Sequence, residues 1–367
     1  MRKYLARGVA AGAIALLALT ACSERSGSSG GDSADSGKGF PADALIGVAL
    51  PAKTSENWVL AGDLFVNGLK EAGFQSDVQY AGASSTVSDQ QNQIQAMVTK
   101  GAKVIVIGAT DASQLSTQVK AAKDAGAYVI AYDRLIKNTP DVDYYVAYDN
   151  FKVGQLQGQA LLDGMKAKKP NGPYTIELFS GSPDDNNSAV FFDGAMSVLK
   201  PEIDKGTVVV GSGQTDIKQT AIEGWKAENA QRRMDSLLTS TYSTGKTLDG
   251  VLSPNDTLAR AIITSVKGAG KPLPVVTGQD SEVESVKSIM AGEQYSTINK
   301  DTRNLVKQTI QMIKDLQQGK EPEVNDTTSY NNGVKVVPAY LLPPQIVTKA
   351  NAAEAYANDP ILAPLTK

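Results

Sequence analysis

From about Leu45 onward the chain alternates short runs of consecutive apolar residues with longer stretches whose apolar positions recur every three or four residues. Runs of the first kind predict buried strands, and stretches of the second predict helices with one buried stripe. ALIGVAL is a first strand, Trp58 to Ala72 a helix ended by Gly73, and SDVQYAG a second strand. A helix around Gln90 to Lys100 sets Ile94, Met97 and Val98 on one face and stops at Gly101. KVIVIGA, a helix through Leu115 to Ala125, and AYVIAYD keep the rhythm, and this first lobe closes near Asp149 and Asn150. The pattern then restarts with a helix from Val153 to Met165, the strand PYTIELFSG, a helix from Ala189 to Leu199 and the strand GTVVVGSG. A long helix around Glu223 to Thr239, the strand LDGVLSP, a helix from Asp256, the strand PVVTGQD, a short helix through Ile289 and QYSTINK follow. One more helix after Lys300 carries Val306, Ile310 and Ile313 on one face. It comes too late to join the second sheet, so the chain is expected to cross back to the first lobe.

The expected class is therefore α/β: two Rossmann-like lobes with parallel-sheet cores joined by a multi-segment hinge. Residues 41–149 plus 300–325 are expected in the N-terminal lobe, and 150–299 plus 326–367 in the C-terminal lobe. The tyrosines of VDYYVAYD are expected to pack around the hinge, and Ile346 to Lys349 with NAAEAYAN to form a terminal helix or tail.

Composition narrows the chemistry. A net charge of −3 supplies no basic footprint for nucleic acid, and the chain has no histidine. That excludes serine triads, Cys-His dyads and His-bearing zinc sites. No spaced run of acids ending in Glu marks a calcium loop, so neither metal nor cofactor is expected. The single cysteine, Cys22, follows a basic MRKYLARG and an apolar VAAGAIALLAL too short to span a bilayer comfortably. Residues 1–21 are thus expected to be a signal peptide, and the Ser/Gly-rich stretch 22–40 a flexible tether.

An open parallel sheet binds ligands at the carboxyl ends of its strands. At those ends the sequence sets Asp111, the pair Asp133-Arg134 after VIAY, Asp184-Asp185-Asn186-Asn187, Asn255-Asp256, Gln279-Asp280 and Lys300. Taken singly, Asp111, Asp256 and Asp280 read equally well as helix N-caps. Taken together, carboxylate, carboxamide and guanidinium forks match pairs of adjacent hydroxyls, each both donor and acceptor. The only two tryptophans, Trp58 after the first strand and Trp225 opening the long helix of the second lobe, supply flat apolar faces. Either one alone reads as well as core packing.

Leu19-Thr20-Ala21-Cys22, PAKTSENW, VIAYDRL, IELFSGSPDDNN, DGAMSVLKP, VLSPND, VVTGQD and GEQYSTINKDTR together resemble the monosaccharide-binding lipoproteins of ABC importers. The resemblance is closest to the multiple-sugar-binding receptors and xylose-binding proteins, and runs from about Leu45 to Leu342. It implies a type I periplasmic-binding-protein fold with a three-segment hinge and one aldopentose or aldohexose in the cleft. It also implies a monomer anchored outside the cytoplasmic membrane through lipid on Cys22, with an ABC permease as partner. Carried over, Asp133 and Arg134 grip adjacent hydroxyls, and Trp58 and Trp225 stack on the ring. Asp185, Asn187, Asn255, Asp256, Asp280 and Lys300 contact it from the second lobe and the hinge, with Gln279 as support. Asn57 stands where relatives often carry Arg.

Rival readings share parts of this pattern. Asp184 and Asp185 are neighbours on one loop, whereas a glycosidase needs carboxylates on both sides of a scissile bond, so no catalysis is expected. A sugar-responsive regulator would carry an N-terminal helix-turn-helix where this chain has its apolar leader. A receptor signalling through a membrane partner shares the binding step and stays open.

Overall fold

The computed structural model describes residues 39–53, 55–83 and 86–367; the expected signal peptide, Cys22 and most of the tether lie outside the described residues. The chain enters with β1 (Leu45–Leu50), α1 (Glu56–Glu71), β2 (Gln75–Tyr80), α2 (Thr86–Thr99), β3 (Val104–Ile107), α3 (Ser116–Asp124), β4 (Tyr128–Tyr132) and β5 (Tyr144–Tyr148). These strands lie parallel in the order β2-β1-β3-β4-β5. All four residues of β3 are fully buried because helices cover both faces of the sheet. Val104 and Val106 pack with Phe65 and Leu69 of α1, while Ile105 and Ile107 pack with Ile94 and Met97 of α2 and Val119 of α3. The two-residue period of the strand thus feeds two cores.

The second lobe comprises α4 (Asn150–Lys168), β6 (Tyr174–Leu178), α5 (Asn186–Asp204), β7 (Val208–Val210), α6 (Ile217–Thr220), α7 (Ala227–Ser240), β8 (Gly250–Leu252), α8 (Asp256–Gly268), β9 (Val275–Val276) and α9 (Val283–Ala291). Its parallel sheet runs β7-β6-β8-β9. Helices α4 and α5 meet backbone to backbone: a Cβ on Gly154 would lie 2.0 Å from the Phe191 carbonyl oxygen, and one on Gly194 2.2 Å from that of Phe151. Only glycine permits this approach, which brings the N-terminal ends of both helices to the hinge.

β10 (Ser296–Asn299) leaves the second sheet and pairs antiparallel with β12 (Gln345–Thr348). Between them α10 (Thr302–Gln317) returns to the first lobe, where Leu305, Val306, Ile310 and Ile313 pack against Phe65 and Leu69. β11 (Ala339–Leu342) then adds a parallel edge strand beside β5. The chain therefore passes between lobes three times, at Asp149, at Lys300-Asp301 and at Pro343-Pro344.

VDYYVAYD contains β5, whose Tyr145, Val146 and Ala147 are fully buried, and its tyrosines reach the hinge as expected: the Tyr145 hydroxyl accepts from Asn150 Nδ2 at 3.2 Å and the Tyr148 hydroxyl donates to the Asp301 carbonyl at 3.0 Å. Three other expectations need correction. The segment 326–342 belongs with the first lobe rather than the second, since Tyr330, Val337 and Ala339 lie in its core. Its strand has four residues and takes β5 as its ladder partner, with a further bridge from Asp326 to Ala339, contacts that are invisible to local periodicity. Ile346 to Lys349 does not start a helix; it forms most of β12, ahead of the short α11 (Ala352–Ala355). Trp225 does not open the long helix either: it ends a one-turn 3-10 segment, Glu223–Trp225, and α7 starts after it.

Candidate functional site

The carboxyl ends of both sheets face a common cavity of about 350 Å³. Ten of the twelve residues expected there line it: Asn57, Trp58, Asp133, Arg134, Asp185, Asn187, Trp225, Asn255, Asp280 and Lys300. Three of these sit on left-handed backbone, Asp133 at φ 61°, Trp225 at 56° and Asp280 at 96°. Such conformations cost about 1–3 kcal/mol each outside glycine and persist only where neighbours hold them. Around Asp133, the N–H donates to the Val146 carbonyl at 2.8 Å, and the carbonyl accepts from the Tyr145 hydroxyl at 2.7 Å and Asn187 Nδ2 at 2.9 Å. Around Trp225, the preceding Gly224 N–H donates to Ser182 Oγ at 2.7 Å, and Trp225 Nε1 donates to Asp185 Oδ2 at 3.2 Å. Around Asp280, its N–H donates to the Ile298 carbonyl at 2.9 Å, and Ser281, at φ 54°, donates its N–H to Thr297 Oγ1 at 3.2 Å.

Each side chain has a local reason for its place. Asp185 caps α5, accepting from Asn187 N at 2.9 Å on Oδ1, which leaves Oδ2 for Arg134 Nε at 3.0 Å. Asn255 caps α8 by accepting from Leu258 N at 2.9 Å, which leaves its amide nitrogen as the group able to donate into the cavity. Arg134 also donates to the Ala109 carbonyl at 3.1 Å and lies 5.3 Å from the Trp58 ring centroid. Trp58 is braced edge-on by Tyr132, centroids 6.3 Å apart. The Trp225 ring approaches the backbone of Gly181, where a Cβ would fall 2.1 Å from the indole. That glycine of GSPDDNN is what lets the ring lie where it does.

Burial dominates the electrostatics. Lys300 Nζ is 3.1 Å from Asp280 and 4.0 Å from Asp133, with only 9% of its side chain exposed. Burial opposes its charge, yet the carboxylates of Asp280 and Asp133 hold its pKa above the usual lysine value. Asp280 is pushed up by burial, against the pull of Lys300. Asp185 is likewise raised by burial, with Arg134 and the Asn187 N–H acting against it.

Two expected residues stand outside the cavity. Asp111 sits in an exposed turn, its Oδ1 accepting from Ser113 N at 2.8 Å and its Oδ2 from the Gln114 amide. Asp256 is fully buried behind the site. Its Oδ1 accepts from Gln294 Nε2 at 2.7 Å, and its Oδ2 from Glu282 N and Thr297 Oγ1, each at 2.9 Å. Burial, then Glu282 and Asp280, raise its pKa well above the carboxylate range. It braces the loop that carries Asp280 rather than facing the cavity. Conversely, Ser55, Tyr132, Tyr148, Phe191, Glu223, Lys226 and Thr257 line the cavity without having been expected, and Gln279 lines it directly. Glu223, Lys226 and Thr257 are each within two residues of an expected one; Phe191 was legible only as helix core.

The lobes also bond directly across the cleft. Ala112 N donates to the Asp184 carbonyl at 3.0 Å and Asn57 Nδ2 to the Asp280 carbonyl at 3.4 Å. Ser55 Oγ donates to Glu282 at 3.2 Å, and Val283 N to Glu56 at 3.1 Å. Together these features make an aromatic-walled, polar cavity whose two halves belong to different lobes. It is suited to a small molecule rich in paired donors and acceptors.

Known proteins are similar to this chain over most of its length. Residues 46–321 match the family described as periplasmic binding protein domain. Over 318 residues the chain is 52% identical to the multiple sugar-binding periplasmic receptor ChvE of Rhizobium radiobacter, covering 85% of this chain and 89% of that protein. It is 36% identical over 315 residues to the D-xylose-binding periplasmic protein of Escherichia coli strain K12, covering 86% and 89%. The crystal structure of an ABC transporter solute binding protein from Clostridium phytofermentans with bound β-D-glucose superposes with a TM-score of 0.84 at 39% identity, covering 88% of this chain and 100% of that one.

Proposed function

The chain belongs to the periplasmic binding protein domain family, and from that premise we propose that it is a receptor for one neutral aldopentose or aldohexose, which it delivers to an ABC importer. The observation that carries this reading is the cavity itself, at about 350 Å³ near the lower end of the roughly 300–1,000 Å³ typical of small-molecule sites. Trp58 from one lobe and Trp225 from the other offer faces for the C–H surfaces of a ring. The forks of Asp133, Arg134, Asp185, Asn187, Asn255, Asp280 and Lys300 surround the rim that such a ring would present. The names of the multiple sugar-binding and D-xylose-binding relatives and the glucose-bound structure support the same ligand class.

The mechanism follows from the cavity being shared. A ligand touching both lobes adds contacts that exist only when they are closed, so it shifts the population toward the closed form by its differential affinity. The three hinge crossings absorb the change, and closure presents a permease with a surface that the open form lacks. Binding and release suffice; no bond in the sugar is broken. We further propose that the protein is a monomer held at the outer face of the cytoplasmic membrane by lipid on Cys22. Incorporation of labelled fatty acid, lost in Cys22→Ser, tests the anchor, and light scattering tests the monomer.

The ligand is tested by titrating the protein with a panel of neutral pentoses and hexoses, following tryptophan fluorescence and calorimetric heat. One-site saturable binding that is lost in a folded Asp133→Ala variant is the expected result. Absence of binding to any neutral sugar by the folded wild-type protein refutes it.

A further inference from the structure

Among the described residues three cations line the cavity, and two of them are already held by its own acids. Arg134 is paired with Asp185, and Lys300 lies between Asp280 and Asp133. The third, Lys226, is exposed at the rim beside Glu223. Five carboxylates line the same space, and among the described residues neither Asp184 nor Glu223 has a cation within 4 Å. Resting on the monosaccharide reading, we infer that the site rejects sugars carrying an ionised carboxylate. A neutral aldose binds, whereas the uronic acid of the same ring and stereochemistry is excluded by charge.

The reason lies in what each group offers. A hydroxyl donates and accepts, so it fits between Asp133 and Lys300, or beside Arg134, without displacing either cation from its acid. A carboxylate only accepts. To be neutralised it must share Arg134 with Asp185 or Lys300 with Asp280, pairs whose charges already balance, and either arrangement leaves one negative charge in excess in a buried site, which is costly. Lys226 offers little compensation, since an exposed cation is screened by solvent and Glu223 stands three residues away in the same turn. Selectivity against acids is therefore built as repulsion, not as lack of room.

The test uses the full chain at pH 7 and calorimetric titration with matched pairs, glucose against glucuronate and galactose against galacturonate. Whichever neutral sugar binds, its uronate is expected to bind roughly a hundredfold or more weakly. The combined substitution Asp184→Asn with Glu223→Gln is expected to narrow that ratio several-fold. Because the readout is a ratio, a general weakening of binding cannot imitate it. A uronate within about tenfold of its neutral partner overturns the inference while leaving the sugar reading intact. A large ratio that the double substitution leaves unchanged, and that the neutral uronamide of the same ring shares, means shape does the rejecting, and overturns it too; a uronamide bound much more tightly than its uronate supports rejection by charge. If no sugar of either kind binds, the proposed function itself fails and takes the inference with it.

Discussion

Replacing Lys300 by methionine removes the ammonium between Asp280 and Asp133 while nearly preserving side-chain length. In the wild-type protein the pair is close, 3.1 Å, and buried, with 9% of the Lys300 and 15% of the Asp280 side chain exposed. Solvent therefore does little to replace the lost partner. Deleting one half of a buried pair costs about 3–5 kcal/mol, because the other charge is stranded. The pH dependence has a definite sign. Asp280 is already raised above the usual carboxylate value by burial, against Lys300. Without Lys300 its folded-state pKa rises further, so the folded state holds a proton that the unfolded state releases above about pH 3.9. Stability of the variant then falls as pH rises through that window, and the deficit against wild type shrinks from pH 8 to pH 5. A second substitution, Asp280→Asn, removes the stranded charge and is expected to restore most of the loss. Ligand-free unfolding in guanidinium at both pH values, followed by tryptophan fluorescence and far-UV circular dichroism, measures all of this. A single variant within about 1 kcal/mol of wild type at pH 8, or a double variant no more stable than the single one, would refute the pairing argument.

Three further substitutions separate cavity, support and bystander. Gly181→Ala places a methyl group 2.1 Å from the Trp225 indole and 2.4 Å from Ser188 Oγ, so the ring must move. We expect a stability cost of about 1–3 kcal/mol and sugar affinity weakened about tenfold or more, with unchanged affinity counting against the placement of Trp225. Tyr356→Phe deletes a buried hydroxyl that donates to Ser281 Oγ at 2.7 Å, next to the left-handed Asp280. Stability should fall by about 1 kcal/mol and affinity several-fold although Tyr356 does not line the cavity; calorimetry detects both, and affinity equal to wild type would show that this bond does not position Asp280. Asp111→Ala should leave affinity within about twofold, since its carboxylate serves only an exposed turn; a larger loss would place Asp111 in the site after all.

Most of the fold was legible because its strands are continuous apolar runs and its helices carry single stripes. KVIVIGA and the helix after Lys300 need no partner to be recognised. What escaped depends on contacts distant in sequence. β11 has four residues and takes β5 as its ladder partner; β12 takes β10. Trp225 escaped differently, because a helical period continues through Glu223 while Gly224 and Trp225 both turn left-handed. A bulky residue at φ 56° has no sequence signature, and only the Ser182 and Asp185 bonds that hold it make it possible.

For the candidate site, the choice between helix cap and ligand fork proved to be the wrong division. Asp185 and Asn255 each use one oxygen to cap a helix and still face the cavity, so capping is how they are held in place. Asp111 serves only its own turn and Asp256 only a buried network, although both occupy the same kind of strand-end position. The difference is set one layer further out. Where the loop after a strand is short and its cap residue lies at the cleft, as at Asn255, the next residue must turn inward, and Asp256 is buried. Asn255 and Asp256 therefore divide the work, one facing the cavity and its neighbour bracing the loop behind. Asp184 with Asp185, and Gln279 with Asp280, do not: both members of each pair line the cavity, and at the second pair the left-handed turn at Asp280 and Ser281 undoes the alternation that would have sent one of them inward.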